Sequence, residues 1–287
     1  MPLVELIRGK RTSDRIEDRR GAGGGRAMRR TGGLGLLVVL LVGIFFGVDL
    51  SPFLGGGTVG PIPSRQAPTG PNEINDEMEE FVGVVLAQTE EVWGGIFEAS
   101  GYDYTRPRLV LYQGGTTSGC GFAQSAMGPF YCPNDQTVFL DTDFFRVMQQ
   151  QMGAGGDFAY AYVIAHEVGH HVQNELGLLG EVNARRARVS ERESNALSVR
   201  VELQADCYAG LWAHEAAAGL NLTDEDIKEA LNTAERIGDD TLQRASRGRV
   251  VPDSFTHGSG DQRQEWFYRG FKTGDPAACD TFAATDL

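Results

Sequence analysis

Three of the chain's five histidines fall within six residues, in the stretch VIAHEVGHHVQNE, Val163 to Glu175. Within it, His166-Glu167-Val168-Gly169-His170 has the form H-E-x-x-H. On a helix, residues four apart share a face about one turn apart, so His166 and His170 can turn ring nitrogens toward one metal ion. Glu167 projects about 100° round the helix, beside the position a water would take. Zinc lowers the pKa of such a water to near 7. Glu167 would then be the general base, and afterwards the acid that protonates a leaving amine. The plain alternative is a surface helix that happens to carry histidines. Val163, Ile164, Ala165 and Val168 argue against it, because they predict a buried face on which histidines need partners. Gly169 in mid-helix costs about 1 kcal/mol relative to alanine, which makes sense where something packs closely. His171 points about 100° away from His170 and is expected to lie outside the site.

A catalytic zinc needs a third protein ligand and an open position. Glu175, Glu181, Glu191, Glu193, Glu202 and Glu215 are the carboxylate candidates. Glu175 is too far along the histidine helix to converge on His166. Glu191 and Glu193 belong to a charged stretch that reads as a solvated face. Glu202 lies in VRVELQADCYAGLW among small and apolar residues, and Asp206 follows four residues later on the same face. Two buried carboxylates repel unless a cation joins them. Glu202 is therefore the expected third ligand of one zinc ion per chain. Asp206 is expected to accept a hydrogen bond from the other nitrogen of a ligand histidine. The alternative is an exposed acidic stripe.

The 287 residues suffice for one or two domains with a sizeable core. The net charge of −13 divides into +5 over residues 1–30 and −18 over the rest. An acidic remainder excludes nucleic-acid binding, which needs a basic face. Thr31 to Val48, TGGLGLLVVLLVGIFFGV, carries no charge and suits a transmembrane helix. Arg26, Arg29 and Arg30 on one flank place the N-terminus in the cytoplasm. A cleaved signal peptide and a buried core helix are the rival readings. The expected organisation is thus a basic, poorly ordered tail at 1–30, an anchor at 31–49, a Pro/Gly-rich stalk at 50–74 and a folded domain at 75–287. This predicts a single-pass membrane protein with its domain outside the cytoplasm.

The cysteines fit export, since Cys120, Cys132, Cys207 and Cys279 all follow the apolar run. A short glycine-containing loop favours Cys120–Cys132, which leaves Cys207–Cys279 to pin the C-terminal tail to a helix. Four reduced thiols are the alternative. Helical periodicity runs from Met78 to Phe97, and strands are expected at Leu109–Tyr112 and Thr137–Leu140. Helices follow over about 142–152, 157–177, 182–218, a stretch opened by Thr223 and Asp226, and 261–272. The balance is α+β, mainly helical with a small sheet.

HEVGHH, ELQAD and CGFAQSAMGPFYCPNDQTVFLD together resemble the putative neutral zinc metallopeptidase family of bacterial membrane-anchored proteins. RTSDRIEDRRG, VWGGIF and THGSGDQRQEWFYRGF fit it as well. The resemblance implies a zincin-like domain of the H-E-x-x-H…E-x-x-x-D type. In it His166, His170 and Glu202 hold zinc, Glu167 is the base and Asp206 supports a ligand. A peptide or protein is then the substrate. Two further expectations are open. His257, in a Gly/Ser turn before a helix, either stabilises an oxyanion or packs that turn. TVFLD is either an edge strand that pairs with an extended peptide or an ordinary core strand. The full motif set favours a zinc endopeptidase. A non-catalytic binding or scaffold protein with a zinc fold, which has no task for Glu167, and a structural metal domain are the competing classes.

Overall fold

The computed structural model describes residue 7 and residues 9–20, 74, 76–124 and 128–285. The architecture is α+β, with one small mixed sheet and a larger helical part. Four strands form the sheet: β1 (Ile16–Asp18), β2 (Arg108–Tyr112), β6 (Thr137–Asp141) and β5 (Phe130–Cys132), in the order β1-β2-β6-β5. The first three are parallel and β5 is antiparallel. Both faces of the sheet are covered, which is why β2 and β6 read as unbroken apolar runs. Leu109, Leu111, Val138 and Leu140 enter the main core. Val110, Tyr112, Phe130 and Phe139 point the other way and pack with Ala123. Ala123 belongs to a hairpin of β3 (Gly115–Ser118) and β4 (Gly121–Gln124), tied to β5 by the expected Cys120–Cys132 disulfide.

The expectation that TVFLD might form an edge is corrected. It is β6, held between β2 and β5, and both its ladders are taken. Whether a strand lies at an edge depends on distant partners, so its own alternation does not reveal it.

A second correction concerns the basic tail. Residues 9–20 are folded into the domain rather than trailing from it. Ile7 and Ile16 are buried. The Ser13 amide donates to Gly83 O at 2.9 Å, the Leu109 amide to Arg15 O at 3.0 Å and the Arg19 amide to Leu111 O at 2.8 Å. The charges that suggested disorder are paired locally: Arg20 bridges Asp18 and Asp76, each at 2.7 Å. The apolar run Thr31–Val48 and the stalk up to residue 73 lie outside the described residues. Among the described residues no helix is long and apolar enough to cross a membrane. The expected topology nevertheless meets a constraint. One crossing between Arg20 and Asp76 would put them on opposite faces of the bilayer, yet they form an ion pair.

The helices carry the site. α1 (Glu77–Ala99) opens with Asp76 accepting from the Glu79 amide, and its first-turn acids complement the helix dipole. α2 (Thr142–Val147) runs into a π-helical turn, Met148–Met152, which Gly153 ends at φ 65°. α3 (Asp157–Glu175) is buried along nearly its whole length. The expected helix over 182–218 is two helices, α4 (Leu178–Arg186) and α5 (Glu191–Leu220). The break falls before Ser190, whose hydroxyl accepts from the Glu193 amide and so starts a new helix. α6 (Asp224–Arg236) begins with the expected Thr223–Asp226 capping box. α7 (Asp239–Arg247), which periodicity did not announce, and α8 (Gly260–Thr273) are the last two α-helices among the described residues.

α5 and α8 touch through backbone. A Cβ on Gly270 would sit 1.9 Å from Cys207 O, and one on Gly210 would sit 1.9 Å from Phe267 O. The Cys207–Cys279 disulfide closes the same region. Gly270→Ala should therefore destabilise the protein by about 2–3 kcal/mol, the upper range for overpacking. Gly94→Ala, in the middle of α1 with open space around it, should stabilise by about 0.5–1 kcal/mol. Thermal or denaturant unfolding of the two variants gives the comparison, and equal midpoints would contradict it.

Candidate metal centre

α3 and α5 cross where Gly169 meets Ala205. A Cβ on Gly169 would lie 3.1 Å from both the Cα and the carbonyl oxygen of Ala205. The mid-helix glycine thus answers a close approach, as its cost suggested. The crossing sets Glu202 and Asp206, on either side of Ala205, against the histidine face of α3.

Four distances define the result. His166 Nε2 lies 3.2 Å from Glu202 Oε2, and His170 Nε2 lies 3.6 Å from Glu202 Oε1. The other nitrogens are occupied: His166 Nδ1 donates to Asp206 Oδ1 at 2.8 Å and His170 Nδ1 to Gln173 Oε1 at 2.9 Å. Both Nε2 atoms therefore face one point together with a carboxylate. Ligand atoms about 2.0–2.1 Å from a tetrahedral zinc stand roughly 3.3 Å apart. The observed 3.2 and 3.6 Å fit that spacing. The buried Glu167 Oε2 has no hydrogen-bond partner, so one polar atom is left over beside the cluster. The donor set and this orphaned atom both fit a metal ion with room for a water.

The electrostatics follow from burial. Burial pushes the Glu167 carboxyl up to about 7. It pushes His170 down to about 4, which leaves the ring neutral at pH 7. For His166 burial opposes protonation, but the charge of Asp206 and the hydrogen bonds to Asp206 and Glu202 prevail and raise it to about 9. A proton there takes the place a cation would take, so metal uptake must displace it. Burial would raise Glu202, yet its interactions with His170, His257 and His166 hold it well below the usual carboxylate range.

Asp206 has a partner that the sequence did not suggest. Arg263 Nε donates to Oδ2 at 2.8 Å and its Nη2 to Oδ1 at 2.9 Å. The Tyr162 hydroxyl donates to Oδ1 at 2.6 Å. Burial acts to raise Asp206, but Arg263 and then His166 bring it down to about 2. The metal and its histidines were expected to relieve both carboxylates, and His166 does bond Asp206. It is Arg263, however, that neutralises Asp206, and Glu202 is left to the histidines. Nothing local marks Arg263, which reaches the site from α8.

The remaining histidines separate clearly. His171 is buried between Tyr104 and Tyr131, bonded to the Tyr131 hydroxyl at 3.0 Å and to Thr105 O, and joins α3 to the sheet rather than to the cluster. His214 bonds Phe271 O, away from the site. His257 lies in a turn wrapped round Asp239. The amides of Thr256, His257 and Gly258 donate to Asp239 Oδ2 at 2.7, 2.7 and 3.2 Å, and His257 Nδ1 stands 3.3 Å from Oδ1. Burial opposes its protonation, while the charges of Glu202 and Asp239 raise its pKa. A second group, Asp18, Asp76 and Glu79, brings acidic oxygens together, but Arg20 already bridges it.

Residues 6–282 match the sequence profile of the family described as putative neutral zinc metallopeptidase. The chain belongs to that family. Its metal is zinc, for which His166, His170 and Glu202 offer the site. The match begins ahead of β1, so the N-terminal strand is part of the family's unit. The chain is 51% identical over 282 residues to the uncharacterized protein YpfJ of Escherichia coli K12, covering 96% of this chain and 97% of the relative. It is 50% identical over 195 residues to the uncharacterized protein Rv2575 of Mycobacterium tuberculosis H37Rv, covering 64% of this chain and 65% of the relative. No solved structure matches.

The geometry ranks two substitutions. Glu202→Gln removes a donor and should weaken Zn2+ binding more than Asp206→Asn, which should cost about 10–100-fold by loosening His166. Competition with a chromogenic chelator measures both. Wild-type affinity in Glu202→Gln would remove Glu202 from the donor set.

Proposed function

We propose that this protein is a zinc-dependent endopeptidase acting on peptide or protein substrates. The observation that carries the reading is the convergence of His166 Nε2, His170 Nε2 and the Glu202 carboxylate beside the unpartnered oxygen of Glu167. Zinc held there supplies Lewis acidity toward a peptide carbonyl and toward water. Glu167 takes the proton of the attacking water and delivers it to the leaving amine. A carboxyl near pKa 7 suits both transfers, because neither direction is steep. Asp206, clamped by Arg263, keeps His166 aimed with Nε2 forward. His257, with Nδ1 turned to Asp239, has Nε2 available to donate to the developing oxyanion. An extended substrate pairs with β5, the outer strand beside α3, rather than with β6.

Glu167→Gln should retain zinc and lose at least about 100-fold in peptide cleavage, the low end for general base catalysis. Unchanged turnover in a zinc-loaded Glu167→Gln protein would sink the assignment. The pH profile carries a sign. The base works as a carboxylate, so kcat/KM falls as pH drops. A cation beside Glu167 favours the charged form, so this acid limb lies at or below about pH 7. A limb well above 7 would point to another group.

Membrane attachment through Thr31–Val48 belongs to the same proposal, because 18 uncharged residues suit an apolar medium. β1 limits how this is done. With β1 paired to β2, residues 9–20 and the domain share one side of the bilayer. Reporters fused before residue 6 and after residue 287 should therefore be accessible from the same side. Opposite labelling would mean that β1 leaves the sheet in the membrane-bound protein.

A further inference from the structure

The two histidines facing the cluster are supported differently. His166 rests on an ionic group, Asp206 with Arg263. His170 rests on an amide, Gln173, which is fully buried. The orientation of that amide is fixed by what lies behind it. Gln173 Nε2 is 2.7 Å from Val201 O, and a backbone carbonyl only accepts, so that end of Gln173 is the NH2. The same nitrogen donates to Gln204 Oε1 at 3.0 Å. Gln204 must then present its own NH2 in the other direction, and it does, to Cys279 O at 3.0 Å. Two carbonyls thus set the polarity of the whole chain. Oε1 of Gln173 is left to accept from His170, which puts the proton on Nδ1 and the lone pair of Nε2 toward Glu202.

The far end of this chain is itself fixed. Cys279 is bonded to Cys207, one turn of α5 beyond Gln204. The following residues are held by Arg200, whose guanidinium donates to Ala284 O at 3.0 Å and whose carbonyl accepts from the Thr281 hydroxyl at 2.7 Å.

We propose that Gln173 and Gln204 are positioning residues for His170, and that the C-terminal segment, locked at Cys279, anchors them. The relay explains three features together. It explains two buried glutamines that no catalytic step uses. It explains why the C-terminal turn is stapled to the helix carrying Glu202. It also explains how His170 keeps its proton on Nδ1 and turns Nε2 toward Glu202. The inference rests on the metal-centre reading, and the test separates the two.

The experiment measures Zn2+ affinity by chelator competition, the visible spectrum of the Co2+-loaded protein, and the melting temperature of the metal-free protein. Gln173→Leu removes the acceptor, and Gln204→Leu removes its backing. Each should weaken Zn2+ binding about 10–100-fold and lower the Co2+ absorption, as loss of outer support to a ligand does. Gln173→Glu keeps an acceptor for His170 Nδ1–H but loses both donated bonds. It should therefore bind Zn2+ far more tightly than Gln173→Leu while melting no higher. A purely structural role predicts the opposite, with affinity following melting temperature across the variants. Cys207→Ser with Cys279→Ser should weaken binding and combine less than additively with Gln204→Leu, because both act on one relay. Folded Gln173→Leu and Gln204→Leu proteins that bind Zn2+ like wild type would overturn the proposal. Wild-type protein that binds no Zn2+, or that binds it unchanged after His170→Ala, would overturn the metal-centre reading instead.

Discussion

The crossing of α3 and α5 is close at Gly169 and Ala205, and the chain lines it with charge. Glu167, Glu202, Asp206, His166, His170 and Arg263 are all buried there. An uncompensated ion in such a place costs several kcal/mol, so these groups call for an opposite charge or a donor. The arrangement that pairs the others, and leaves Glu167 Oε2 over, also aims two imidazole nitrogens and a carboxylate at one point. Stability and chemistry therefore pose a single problem here. α8 is placed so that Arg263 can neutralise Asp206, and the close approach of Gly210 to Phe267 O and of Gly270 to Cys207 O brings it near enough. The turn before α8 is shaped round Asp239 and carries His257.

The parts of this design that could be read in the sequence are those written in one helical period. His166, Glu167 and His170 share a motif, and Glu202 and Asp206 share a spacing. The apolar neighbours of both sets announce that they are buried. The clash of two buried carboxylates announced that a cation must join them, although the cation at Asp206 is Arg263. Arg263, Gln173 and Gln204 went unread because an arginine or a glutamine in a helix gives no local sign of a partner on another element. Gln173 was in plain view, three residues from His170, but only its contacts with Val201 and Gln204 give it a meaning.

The sheet shows the same limit. β2 and β6 were legible from their apolar runs, and Cys120–Cys132 from its short loop, which left Cys207 to pair with Cys279. β1 was not, since RTSDRIEDRR offers one isoleucine amid charges and reads as a solvated tail. Its charges are settled pairwise, Arg20 with Asp18 and Asp76, Arg19 with Glu17. Composition measures charge without knowing whether it is neutralised. The strand order was illegible for the reason that TVFLD could be read as either an edge or a core strand: alternation describes faces, whereas edges are a property of the whole sheet.

β1 is synthesised first, but its partner β2 emerges some ninety residues later, after the apolar run has been made. Docking it closes a long loop, an entropic cost that the rest of the sheet does not bear. It is also short and lies at one end of the strand order. Such an element belongs to the first cooperative unit to open in the native protein. When it leaves, β2 presents a bare row of amides and carbonyls to any extended chain nearby. In hydrogen exchange, the amides of Arg19 and Leu109 would then trade their protons ahead of the β2–β6 ladder, marking the sheet's replaceable margin.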